Sequence, residues 1–187
     1  MKVSALELPG LQLIELKMYP DNRGFFTEHF NAKNFEEHGL PSKFVQANHS
    51  RSAPGVIRGL HYQVNPAQGK LVGAIRGAIF DVTVDIRPGS PTYGKHIGIE
   101  LSDKNGRLLW VPAGFAHGFC AIGTEATDVI YHVDSFYCPE TEGGIHWADP
   151  ELAIKWPITN PVIASRDDRL PSFNEYQKNP VKTFRNT

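Results

Sequence analysis

Apolar and polar residues alternate along this chain in short bursts separated by turn formers. The clearest burst is Phe80-Asp-Val-Thr-Val-Asp-Ile86, where Phe80, Val82, Val84 and Ile86 share one face and Asp81, Thr83 and Asp85 the other. A period of two marks a β-strand. His96-Ile-Gly-Ile-Glu-Leu101 repeats the pattern. The same reading predicts strands over Leu11–Lys17, Phe25–Phe30, Phe44–Ser50, Gly55–Gln63, Gly69–Arg76, Ala78–Arg87, His96–Ser102, Arg107–Val111, His117–Ile122 and Ala126–Val133. Only Asn31–His38 reads as a helix, with Asn31 able to cap it and Gly39 at the position that favours glycine. Fourteen prolines and seventeen glycines punctuate the chain every eight to twelve residues. That rhythm belongs to an all-β sandwich or barrel, and a jelly roll with a ligand-holding mouth is the expected closure.

The 187 residues are 41% hydrophobic and carry a net charge of −1. They suit one domain spanning 1–187, with a loop-rich C-terminal segment from about 139 that Trp147 and Trp156 pack onto the body. No basic surplus points to nucleic acid, and no apolar run is long enough to span a bilayer. The N-terminal residues lack the apolar core of a signal peptide, and Cys120 and Cys138 form no Cys-x-x-Cys motif. Reduced thiols in a cytoplasmic protein are the expectation.

Candidate chemistry concentrates in Gly55-Val-Ile-Arg-Gly-Leu-His-Tyr-Gln63 and the neighbouring Ala67-Gln-Gly-Lys-Leu-Val72. These strands set Arg58, His61 and Lys70 among apolar residues, where an unpaired charge is costly. His61 is either a hydrogen-bonded core histidine or a general base. Strict alternation puts Arg58 and His61 on opposite faces, so a shared pocket requires a bulge, for which Gly59 is suited. Lys70 is either a strand-end lysine in solvent or a charge facing an oxyanion. Tyr131 points inward with Val129 and Val133, and Tyr137 is a second phenol that could donate a proton. Arg23, Arg58 and Arg166 could clamp a diphosphate. No His-x-His, His-Glu-x-x-His or phosphate-binding glycine loop occurs. That spacing argues against a catalytic metal and against a dinucleotide fold.

Several runs together resemble one family, the dTDP-4-dehydrorhamnose 3,5-epimerases of cupin fold. They are Asp21-x-Arg-Gly-Phe-Phe-x-Glu28, Gln46-Ala-Asn-His-Ser50, the two runs around His61 and Lys70, Phe80-Asp-Val-x-Val-Asp-Ile-Arg87 and Ser90-Pro-Thr-Tyr-Gly94. Trp110-Val-Pro-x-Gly-Phe-Ala-His-Gly-Phe119, Trp147-x-Asp-Pro150 and Ser165-Arg-Asp167 continue the match over roughly residues 10 to 171. The resemblance implies a cupin-type jelly-roll barrel with a few short helices. It implies a reaction that inverts C3 and C5 of a dTDP-linked 4-keto-6-deoxy sugar without metal or redox cofactor. By the same resemblance, His61 is the base, Asp167 its partner, Tyr131 the proton donor and Lys70 the enolate stabiliser. Tyr137 also lies near the family's site, so the donor stays open between the two tyrosines. Arg23, Glu28, Gln46, Asn48, Arg58, His117, Tyr137, Glu142 and Arg166 would contact the nucleotide sugar. The family is a homodimer in which Arg23 and Glu28 lie near the partner's pocket. Alternatives are an epimerase of a single centre, a non-catalytic nucleotide-sugar-binding jelly roll, and a metal-dependent cupin.

Overall fold

The computed structural model describes residues 1–184. In chain order the strands are β1 (Lys2–Ala5), β2 (Gln12–Glu15), β3 (Met18–Asp21), β4 (Gly24–Thr27), β5 (Gln46–Ser52), β6 (Val56–Gln63) and β7 (Lys70–Arg76). They continue with β8 (Ala78–Asp85), β9 (His96–Ser102), β10 (Arg107–Val111), β11 (Phe115–Ala121), β12 (Thr127–Val133), β13 (Glu142–Gly144) and β14 (Val162–Ile163). Two helices, α1 (Ala32–Glu37) and α2 (Phe173–Lys178), complete the regular structure together with two 3-10 turns.

One sheet runs β1-β2-β10-β7-β12-β5 and the other β13-β6-β11-β8-β9, with β14 added to β6. Every ladder except β14–β6 is antiparallel. The all-β cupin jelly roll expected from the alternation and the family resemblance is the fold observed. The predicted strands are present, trimmed or extended by a few residues. His96–Ser102 and Arg107–Val111 are unchanged. The helix at Asn31–His38 is also present, capped by the Asn31 side chain. The single-helix reading needs correction: α2 is a second helix, opened by a capping box in which Ser172 and Glu175 satisfy each other's backbone. Six residues carry too little periodicity to announce it.

Three apolar clusters hold the sheets. Between the sheets lie Leu11, Val72, Leu109 and Val129 from one and Ile79, Leu101, Phe115 and Phe119 from the other. The outer face of the first sheet (Ile14, Leu71, Leu108, Trp110) packs under Phe35 and Leu40 of the α1 segment. The outer face of the second (Leu60, Val82, Val84, Ile86, Ala116) packs under Ile145, Leu152, Phe173 and Tyr176. Trp156 meets Phe80 edge-on at 6.3 Å and donates its Nε1 to the Trp147 carbonyl at 2.8 Å. The C-terminal segment is therefore a cover that allows β8 to be buried on both faces. Its apolar face goes outward beneath the cover, while the polar Asp81, Thr83 and Asp85 go inside, each nearly inaccessible.

Candidate active site

A cavity of about 710 Å³ opens between the sheets. Its wall combines Gln46 and Asn48 from β5, Arg58 and His61 from β6, Lys70 from β7, His117 from β11 and Tyr131 from β12, with Tyr137, Glu142, Arg166 and Asp167 closing it from later segments.

Arg58 and His61 share this cavity because β6 is bulged. His61 pairs with His117 but Arg58 with Phe119, so β6 spends three steps where β11 spends two. The extra residue restores both side chains to one face. Gly59 makes the close approach: its φ is 109°, and a Cβ there would lie 2.7 Å from the Gly118 Cα and from the His117 carbonyl oxygen. The same glycine donates its amide to Asp167 Oδ2 at 3.0 Å.

Asp167 reaches His61 from 106 residues away, accepting from its Nε2 at 2.8 Å. Burial favours a neutral carboxyl at Asp167, but the hydrogen bonds from His61 and the Gly59 amide outweigh it and hold the group below the usual carboxylate range. With Nε2–H committed to Asp167, the ring's lone pair sits on Nδ1. This is the arrangement of an oriented base.

Lys70 is half-buried in the cavity wall, its Nζ donating to Gln68 Oε1 at 3.0 Å. The solvent-facing reading of this lysine is thus wrong; β7 starts inside the mouth. Burial lowers its ammonium to about 8, against the pull of Glu142 and Asp134. The Tyr131 phenol is pushed up by burial and by the Glu142 charge, so it stays protonated. Tyr137 is pushed up first by the hydrogen bond its hydroxyl donates to Glu142 Oε2 at 2.7 Å. Arg166 pairs with the same carboxylate. Burial would raise Glu142, but these two donors hold it low.

Two candidates lie elsewhere. Arg23 sits at the exposed turn of the β3–β4 hairpin, paired with Asp21, and Glu28 accepts from Asn31 and Asn34. Neither lines the cavity of its own chain, so Arg23 does not join Arg58 and Arg166 in one clamp within the chain. The hairpin projects Tyr19, Phe25 and Phe26 into solvent. Cys120 and Cys138 are free thiols. Among the described residues no three His, Cys, Asp or Glu side chains converge as a metal would require, and no helix is long and apolar enough to cross a membrane.

Sequence reasoning overlooked Asp81. Its Oδ2 accepts from His117 Nε2 at 2.8 Å, making a second histidine–carboxylate pair one strand from the first. In the sequence it was one polar residue of an alternating strand, with nothing to mark its partner. Gln68 was visible only as part of the run before Lys70.

Comparison with known proteins decides the lineage. The profile of the family described as dTDP-4-dehydrorhamnose 3,5-epimerase matches residues 5–175. The chain belongs to that family. A Pseudomonas aeruginosa protein of the same name is 51% identical over 170 residues, covering 90% of this chain and 93% of that one. A Legionella pneumophila 3,5-epimerase, solved in complex with dTDP-4-keto-L-rhamnose, superposes with a TM-score of 0.88 at 46% identity, over 92% of this chain and 93% of that one. A Streptomyces niveus relative named dTDP-4-dehydrorhamnose 3-epimerase is 44% identical, over 89% of this chain and 81% of that one. Family members thus include epimerases of both two centres and one.

Proposed function

We propose that this chain is a dTDP-4-dehydrorhamnose 3,5-epimerase, acting as one catalytic domain on dTDP-4-dehydro-6-deoxy-D-glucose in the synthesis of dTDP-L-rhamnose. The observation that carries the reading is the meeting of an oriented His61–Asp167 pair, a protonated Tyr131 and a buried Lys70 in one cavity. The substrate's 4-ketone acidifies the C–H bonds on both sides of it. His61 takes a proton from one face of the sugar through Nδ1. The Lys70 ammonium stands by the keto oxygen and stabilises the enolate that forms. Tyr131 returns a proton to the opposite face, inverting the carbon.

Tyr131 is favoured over Tyr137 as donor for a specific reason. The Tyr137 hydroxyl is committed to Glu142, whereas among the described residues none forms a hydrogen bond with the Tyr131 phenol. Tyr137 then serves the nucleotide end with Gln46, Asn48, Arg58, His117 and Arg166. The exposed aromatic hairpin supports a homodimer in which Arg23 and Glu28 complete the partner's pocket.

Incubation with dTDP-4-keto-6-deoxyglucose in heavy water tests the reaction. Deuterium at C3 and C5 is expected. Deuterium at one carbon alone supports the single-centre reading, which the 44% identical Streptomyces relative keeps open. Binding without exchange would reduce the protein to a nucleotide-sugar binder.

A further inference from the structure

Glu142 is out of place in a pocket meant for a diphosphate. Arg58, Lys70 and Arg166 supply positive charge to the cavity wall, and Asp167 is already spoken for by His61. Glu142 is the other acid of the wall, and a carboxylate near an incoming dianion is repulsive. Its own contacts explain its presence. A single oxygen, Oε2, receives both the Tyr137 hydroxyl and the Arg166 guanidinium. Two donors converging on one anionic oxygen is how a phosphate oxygen is held. The backbone of Glu142 is anchored by pairing with Gln63 of β6, and its side chain is only 14% exposed. The Arg166 side chain is 58% exposed, within reach of a ligand entering the mouth.

We propose that Glu142 is a stand-in anion, holding Arg166 and Tyr137 at the mouth until the substrate's diphosphate takes Arg166 over. This deepens the epimerase reading and rests on it. The exchange makes the mouth selective. A diphosphate carries enough charge to win Arg166 from a buried carboxylate, and a monophosphate competes less well. Glu142 stays behind, keeping its charge beside Tyr131 and Lys70, where it favours the protonated form of both. One residue thus spends binding affinity to keep the mouth ordered, Tyr131 protonated and Lys70 charged.

Calorimetric titration of dTDP, dTMP and inorganic pyrophosphate into wild type and Glu142→Gln tests the exchange. The variant should bind dTDP and pyrophosphate about two- to five-fold more tightly, the range of a part-exposed ion pair, and dTMP with a smaller gain. Equal or weaker binding by the variant overturns the exchange and makes Glu142 a plain substrate contact. A measurement on wild type guards against a misfolded variant. The ¹³C resonance of the Glu142 carboxylate should move when pyrophosphate is added, and an unmoved resonance at saturation overturns the proposal. Failure of the protein to bind any nucleotide would overturn the epimerase reading itself, whereas normal dTDP binding with no gain in Glu142→Gln overturns only the exchange.

Discussion

Two histidine–carboxylate pairs stand one strand apart in the second sheet, and they differ in everything but the bond. Each has Nε2 at 2.8 Å from its carboxylate. The His61 side chain is 26% exposed and Asp167 has a second donor in the Gly59 amide. The His117 side chain is 9% exposed and Asp81 is fully enclosed, with Oδ1 lacking a hydrogen-bond partner among the described residues. The open pair can meet a ligand and trade a proton, because its carboxylate is satisfied independently of the ring. The sealed pair is closed only at its carboxylate: His117 still meets the cavity wall, but Asp81 behind it has no water to fall back on and depends on the ring's hydrogen bond. The same contact therefore suits proton transfer at one position and the integrity of the barrel floor at the other.

The contrast can be broken from either side. The largest effect is expected at the open pair. His61→Ala should cut kcat by about 10²–10⁴, the usual worth of a positioned base, with the unfolding midpoint little changed. Asp167→Asn should also lose activity while keeping its fold, because an amide no longer selects the ring tautomer. At the sealed pair the balance reverses. Asp81→Ala should lower the unfolding free energy by about 3–5 kcal/mol, measured by urea titration. An Asp81 variant with wild-type stability would erase the distinction.

Gly59→Ala attacks the bulge that links the two pairs. A positive φ and a Cβ 2.7 Å from the β11 backbone should cost about 1–3 kcal/mol. Catalysis should fall with it, since Arg58 and His61 would no longer share a face. The mildest test is pH. As pH rises through about 8, Lys70 loses its charge, and kcat/KM should fall on that limb. Lys70→Arg should remove the limb, because guanidinium stays protonated. The stability effect has the opposite sign. Below pH about 8 the buried ammonium is a burden on the fold, and the burden lifts as pH climbs toward the ordinary 10.5.

Much of this was legible in the chain. Alternation located the strands of both sheets, because a half-buried strand must show period two. It missed β1 at the edge of the first sheet, β3 on an exposed hairpin, and β13 and β14, which are three and two residues long. The runs around His61 and Lys70 announced themselves as charge on apolar strands. Gly59 was readable as a place for a bulge, though not the bulge itself, since register is a property of two strands.

The residues themselves determined the all-β class, the family and the chemical groups available. They did so because hydrophobic periodicity and residue type are local. Tertiary structure alone decided which groups meet. Asp167 joins His61 across 106 residues, Arg23 lies outside its own chain's cavity, and Asp81 turns inward because the C-terminal cover buries the other face of its strand. Such pairings depend on strand order and on what covers each face, and neither is written in any short stretch of sequence.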